Sequence, residues 1–127
     1  MLKDIENRED IYLLVKTFYT KLMNDAEMRH FFIDFFDENL LEEHLQTLVD
    51  FWENTLFFTG GYRKNAMQPH LDLHQIKPIE KKHFKAWLSM FNSSVDELFL
   101  GGMAHTAKSR ALSIATVMEI KLFEQNK

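Results

Sequence analysis

Apolar residues recur every three to four positions in several long segments of this 127-residue chain. Ile11, Leu14, Phe18 and Leu22 form the first such series, which is typical of a helix with one buried face. No segment alternates apolar and polar residues in the manner of a half-buried strand. The spacing therefore predicts an all-α protein.

Polar residues divide the first half of the chain into two long predicted helices joined by a shorter turn. The first helix is predicted over about residues 8 to 23, and Asn24-Asp25 breaks it. Asp37 or Asn39 offers an N-cap for the second helix, because a short polar side chain can accept the first free backbone N–H groups.

Glycine and proline residues mark the predicted ends of the helices in the second half of the chain. The glycine pair at 60–61 is predicted to end the second helix, and residues 60 to 77 are predicted as a loop with at most a short helix. Pro78 marks the predicted start of a third helix that runs to the glycine pair at 101–102.

A final helix is predicted after that glycine pair. It carries a face of mostly small residues that would let a neighbouring helix approach closely, namely Ala104, Ala107, Ala111, Ala115 and Met118. Larger apolar residues are predicted to broaden the same buried side, namely Ile114, Val117 and Leu122.

Composition limits the classes of function. The chain is 46% hydrophobic, which is enough material for one core, so residues 1 to 127 are expected to form a single domain. The formal charge of -4 is spread without a basic stripe, which argues against a nucleic-acid partner. No apolar run reaches the length of a membrane span or a signal peptide, so we expect a cytoplasmic protein with no membrane partner.

The absence of cysteine removes several cofactor chemistries. A chain with no cysteine cannot offer a thiolate to haem iron, hold an iron–sulfur cluster or attach haem covalently. Histidine, carboxylate and tyrosine side chains remain as the possible metal ligands.

Polar side chains occur on faces that are otherwise predicted to be buried. His44 shares a helix face with Leu48 and Trp52, and Tyr19 lies on the inner half of the first helix. Trp87 lies on the buried face of the third helix. Each polar group taken alone is explained by a hydrogen bond to the backbone. Together, three donors on three helices could converge on one cavity.

The remaining histidines do not form a complete site for a bare metal ion. His70 and His74 are four residues apart after Pro69, which suits zinc or copper, but two ligands are too few. Glu80 and His83 form half of a di-iron signature whose second copy is missing. A single histidine on a short turn suits a haem iron, because the porphyrin supplies four ligands.

The chain resembles the group III truncated haemoglobins over nearly its whole length. The segments that carry the resemblance, in the order of the family, are FYTKL (18–22), HFF (30–32), EEHLQTLVDFW (42–52), MQPHLDL (67–73), PIEKKHFKAWLSMF (78–91) and VDELFLGGMAHTAKSRALSIA (95–115). The resemblance implies a truncated globin fold, a two-over-two helical sandwich whose proximal helix is reduced to about one turn.

The resemblance also implies roles for individual residues. His70 resembles the proximal ligand of the iron in a non-covalent haem b, and Tyr19 the distal residue that meets the bound gas. His44 and Leu48 resemble the next distal pair, and Trp87 the tryptophan that contacts the ligand pocket.

Further residues are expected around the porphyrin. Those expected to cover its faces are Phe31, Phe32, Met67, Leu73 and Phe84, and those that could pair with its propionates are Arg63, Lys64 and His74.

The implied function is the binding or transport of dioxygen or another diatomic gas, nitric oxide or carbon monoxide. An enzyme on the same scaffold, with nitric oxide dioxygenase or peroxidase-type activity, is the alternative; a separate reductase would then return electrons. A third hypothesis is a helical interaction module without haem, in which the aromatic residues only build the core.

Overall fold

Every regular element of the described chain is helical. The computed structural model describes residues 2–58 and 79–125. These ranges contain α1 (Arg8–Asn24), a 3₁₀ helix (Arg29–Phe36), α2 (Glu38–Phe57), α3 (Lys81–Leu98) and α4 (Gly102–Gln125). The prediction of an all-α protein is confirmed for this part of the chain.

Short polar side chains fix the starts of the first two α-helices. The side chain of Asn7 accepts a hydrogen bond from the backbone N–H of Asp10 at the start of α1. Asp37 does the same for α2, where its carboxylate accepts from the N–H of Asn39 at 2.9 Å. These bonds satisfy backbone donors that have no partner inside a helix, which is why the starts were readable from sequence.

Two predicted boundaries differ from the observed ones. Helix α2 ends at Phe57, before the glycine pair at 60–61, because Phe58 adopts a left-handed backbone conformation with φ of 57°. Helix α3 begins at Lys81 and not at Pro78, because Glu80 is its extended N-cap residue. The predicted loop at 60–77 lies outside the described residues.

The helices pack as two joined pairs. Helix α1 packs against α2, α3 packs against α4, and α1 also contacts α3. The alanine face of α4 is buried as predicted, and it permits the close approach of α3. Val117 was wrongly assigned to the buried side, since its side chain is 50% exposed, whereas Leu122 is fully buried.

The N-terminal arm caps α4 from the far end of the sequence. The carboxylate of Asp4 accepts hydrogen bonds from the backbone N–H groups of Met103 (2.9 Å) and Ala104 (2.8 Å). Gly101 allows this approach, because its φ is +149° and a Cβ atom there would lie 2.5 Å from Asp4 Cγ. Burial acts to raise the pKa of Asp4, but these N–H groups hold it below the ordinary value.

Four aromatic rings form a stack between α1, α2 and α3. The ring of Phe91 is stacked on Trp52 at 4.9 Å and on Trp87 at 5.9 Å between centroids. Phe18 meets Phe91 edge-on at 5.2 Å. This stack, which we call the aromatic core, joins three of the four α-helices in the described ranges.

Among the described helices, none is both long enough and apolar enough to cross a membrane.

Candidate functional site

An open cavity lies between α1, the 3₁₀ helix, α3 and α4. Its empty volume is about 590 Å³, including space open to solvent. The residues that line it are mostly apolar or aromatic, namely Tyr19, Met28, Phe31, Phe32, Ile79, His83, Phe84, Trp87, Ala115 and Met118.

Helix α1 presents Tyr19 to this cavity. Its neighbour Phe18 turns toward the aromatic core, so consecutive residues serve different regions. The Tyr19 side chain is 8% exposed, and its hydroxyl lies 2.9 Å from Nε2 of His44. Burial raises the pKa of Tyr19 well above its ordinary value, so the phenol keeps its proton at neutral pH.

His44, on α2, is connected to the cavity by its hydrogen bond with Tyr19. Its imidazole is stacked on Phe35, with centroids 4.4 Å apart and planes 15° apart. The 3₁₀ helix supplies this ring and also Phe32, which meets Tyr19 edge-on at 5.3 Å. Either Tyr19 donates to His44 or the imidazole N–H donates to the phenol, depending on the tautomer of His44.

Helix α3 supplies another wall of the cavity that Tyr19 lines. Trp87 and Phe84 line the cavity, and Trp87 also belongs to the aromatic core. The indole of Trp87 can only donate a hydrogen bond, so it is a second polar group suited to an electron-rich ligand.

A second buried imidazole, His83, also lines the cavity. Its side chain is 5% exposed, and Nδ1 accepts a hydrogen bond from the backbone N–H of Glu80 at 2.9 Å. Burial, and then the positive charge of Lys82, lower the pKa of His83 below its ordinary value. Sequence reasoning considered this residue only as half of a di-iron signature and did not predict its place in the wall.

The structure brings most of the described predicted site residues together. Five of them line the cavity, namely Tyr19, Phe31, Phe32, Phe84 and Trp87. His44 is joined to the site by its bond to Tyr19, whereas Leu48 is half-buried against the core and is not among the described lining residues. The other predicted site residues lie outside the described residues, namely Arg63, Lys64, Met67, His70, Leu73 and His74.

Several lining residues were not predicted. Met28, Ile79, Ala115 and Met118 complete the wall. Ala115 and Met118 were expected only to pack α4 against a neighbour. Nothing in the spacing of the sequence distinguishes a buried position beside a cavity from one inside the core.

The described lining fits a large, flat, mainly apolar cofactor such as haem. The walls of the cavity are mainly apolar and aromatic side chains, and its few polar groups are phenol, indole and imidazole, which is the usual lining of a ligand site. The described residues contain no group of three or more histidine or carboxylate side chains that could hold a bare metal ion.

Comparison with known proteins gives three concordant matches. The family described as bacterial-like globin matches residues 3–121. The chain is 29% identical over 121 residues to the group 3 truncated hemoglobin ctb of Campylobacter jejuni, which covers 93% of this chain and 92% of that protein. The crystal structure of the group III truncated hemoglobin from Campylobacter jejuni matches with a TM-score of 0.84 and 28% identity, covering 96% of this chain and 95% of that chain.

These matches confirm the predicted truncated globin fold and the resemblance to group III truncated haemoglobins. The chain therefore belongs to the bacterial-like globin family, and membership of that family implies a haem cofactor.

Proposed function

We propose that this chain binds haem b, with His70 as the iron ligand, and retains dioxygen or another diatomic gas beside Tyr19. The observation that carries the proposal is a buried, protonated phenol that faces an apolar cavity and is hydrogen-bonded to His44 at 2.9 Å. Bound haem supplies an iron centre that coordinates the gas. The position of His70 rests on the sequence pattern and on the family.

The polar residues of the cavity have separate tasks in this proposal. Tyr19 offers an O–H donor to the ligand, and Trp87 offers an indole N–H from the wall that α3 supplies. A donor is worth more in this setting than in water, because the surrounding dielectric constant is low. His44 holds the phenol in place, and Phe35 holds His44.

The phenylalanine rings keep water out. Phe31, Phe32 and Phe84 surround the space that the porphyrin would occupy. Their exclusion of water protects a reduced iron from oxidation and strengthens every hydrogen bond inside the cavity.

The iron ligand is tested by a matched pair of histidine variants. His70→Ala is expected to lose the native ferrous absorption spectrum, whereas His74→Ala, four positions away, is expected to keep it. An unchanged ferrous spectrum in His70→Ala would show that another residue ligates the iron. Wild-type protein without a Soret band after addition of haem would instead favour the helical interaction module.

The distal donor is tested by the rate of dioxygen release. Tyr19→Phe is expected to release dioxygen about tenfold faster or more, because one good hydrogen bond is lost. Tyr12→Phe is the control, since the Tyr12 hydroxyl donates to Glu42 at the surface of the same helix. Equal release rates in the wild type and Tyr19→Phe would assign retention to Trp87.

A second candidate function is catalytic. The contact between the Tyr19 phenol and the His44 imidazole could pass a proton to a peroxide or help convert dioxygen and nitric oxide into nitrate. Whether the protein is an enzyme is tested by its turnover rates with hydrogen peroxide and with nitric oxide, each compared with the rate of free haem. Rates no better than free haem would remove the enzymatic proposal.

The proposal also includes a reductase as partner and a cytoplasmic location. A gas-binding haem needs a supply of electrons, so we infer a separate reductase, and a cytoplasmic location would provide one. In the same proposal, residues 1 to 127 act as one globin domain.

A further inference from the structure

His83 presents a hydrogen-bond donor to the cavity. Because Nδ1 accepts from the N–H of Glu80, the proton of the neutral imidazole is on Nε2. No hydrogen bond within the described part of the chain uses this Nε2–H. Nε2 is not fully enclosed by the described protein, and His83 lines the cavity, so a molecule bound there could meet this donor.

This donor has no ring contact or hydrogen bond with Tyr19 in the described part of the chain. The two residues are linked through two phenyl rings: Phe31 is 4.8 Å from His83, Phe32 is 6.5 Å from Phe31, and Tyr19 is 5.3 Å from Phe32. His83 can therefore serve a part of the cavity's occupant other than the part that meets Tyr19.

The surroundings of His83 indicate which part. The exposed imidazole of His30 lies 5.8 Å away, and the side chains of Glu80 and Lys82, three and one residues earlier in the chain, are 64% and 59% exposed. This wall therefore lies close to the protein surface. A porphyrin buries its ring but keeps its two carboxylates near water, because an unpaired buried charge is costly. Glu80 and Glu27 place negative charge nearby, and Lys82 places positive charge there.

We propose that Nε2–H of His83 binds a carboxylate of the porphyrin, which makes His83 a positioning residue for the cofactor. The inference rests on the proposed function. The bond between Glu80 and His83 fixes the imidazole at the start of α3, so the donor is oriented before the cofactor arrives.

A pair of nearly isosteric variants tests the donor without removing the helix cap. Glutamine and glutamate are the residues that best accept the N-cap N–H from this position of a helix, so His83→Gln and His83→Glu both preserve the start of α3. Glutamine also keeps an N–H donor, whereas glutamate replaces the donor by a negative charge.

The measurement is the rate of cofactor release to excess apomyoglobin, followed by Soret absorbance. Each protein is loaded with iron protoporphyrin IX or with its dimethyl ester, whose carboxylates are blocked. With the free acid, His83→Glu is expected to release the cofactor about 10- to 100-fold faster than the wild type, and His83→Gln within about threefold of it. With the ester, all three proteins are expected to release the cofactor at similar rates.

Two outcomes would overturn the assignment. One is an unchanged rate for the free acid in His83→Glu, and the other is an equal acceleration for both cofactors, which would mean that His83 acts by packing alone. Failure of the wild-type protein to take up either cofactor would contradict the proposed function itself, and this result is recognisable before any variant is made.

Discussion

The neighbouring residues Phe18 and Tyr19 belong to two regions that are built in opposite ways. Phe18 enters the aromatic core, where Phe91 is fully buried and the rings pack directly against one another. Tyr19 enters the cavity wall, where a hydroxyl needs a partner and where space is left open. One turn of one helix thus serves both stability and binding.

Because the two regions are built differently, stability and cofactor binding can be changed separately. Close packing in the aromatic core maximises dispersion contacts and excludes water. The cavity gives up such contacts to leave room for a ligand. A substitution in the core should therefore act on unfolding, whereas one in the cavity wall should act first on the cofactor.

The largest expected effect is in the aromatic core. Phe91→Ala should lower the free energy of unfolding by about 3 to 5 kcal/mol, because a fully buried ring is replaced by a void. Urea denaturation of the apoprotein, followed by circular dichroism, measures this. A loss below about 1 kcal/mol would mean that the stack is not a stabilising core.

A smaller loss of stability is expected for the matched ring on the cavity side of the same helix. Phe84 is only half-buried, so Phe84→Ala should cost the apoprotein about 1 to 2 kcal/mol. Haem release should accelerate more in this variant than in Phe91→Ala. Equal destabilisation of the apoprotein by Phe84→Ala and Phe91→Ala would contradict the expected difference between the cavity wall and the aromatic core.

The contact between Tyr19 and His44 is expected to contribute about 1 kcal/mol. A double-mutant cycle of Tyr19→Phe and His44→Leu isolates this energy, because each change removes one partner of the 2.9 Å hydrogen bond. The four unfolding curves should show positive coupling. A coupling of zero would mean that the phenol and imidazole do not stabilise one another in solution.

The smallest effect is expected from pH. Since burial lowers the pKa of His83, the folded state favours the neutral imidazole, whose ordinary pKa is 6.5. This contribution to stability is fully present above pH 6.5 and is lost as the pH falls through the lower pKa of the folded state. Protonation would also remove Nδ1 as the acceptor for Glu80.

His83→Gln provides the control for this pH dependence. The melting temperature of the apoprotein is measured from pH 7.5 to pH 5. The wild type should lose more stability on acidification than the variant does, and parallel curves would assign the pH dependence to other groups. The aromatic core has no titratable residue, so Phe91→Ala should leave the slope unchanged.

The parts of the fold that depend on local chemistry were predictable from sequence. Asp37 starts α2 because its carboxylate accepts nearby N–H groups, and the alanines of α4 are buried because they recur at helical spacing. Val117 was misplaced, since the same spacing cannot say where the buried face ends. The left-handed Phe58 gave no signal either, because glycine or asparagine would be expected in that conformation.

The site was predictable only where a polar residue interrupts an apolar face. Tyr19, His44 and Trp87 were singled out in this way; Tyr19 and Trp87 line the cavity, and His44 is joined to it by its hydrogen bond with Tyr19. Ile79 and Met118 carry no such signal, because their place in the wall depends on how distant helices pack. The predicted iron ligand His70 remains a prediction.

The carboxylate of Asp4 has a consequence for the order of assembly. It supplies the first turn of α4 with acceptors from 99 and 100 residues earlier in the chain. The first turn of α4 therefore lacks these acceptors until the residues around Asp4 have docked, and we expect fraying of those residues to loosen the start of α4 as well. A side chain at position 101 would meet Asp4, so we expect it to displace the N-terminal arm.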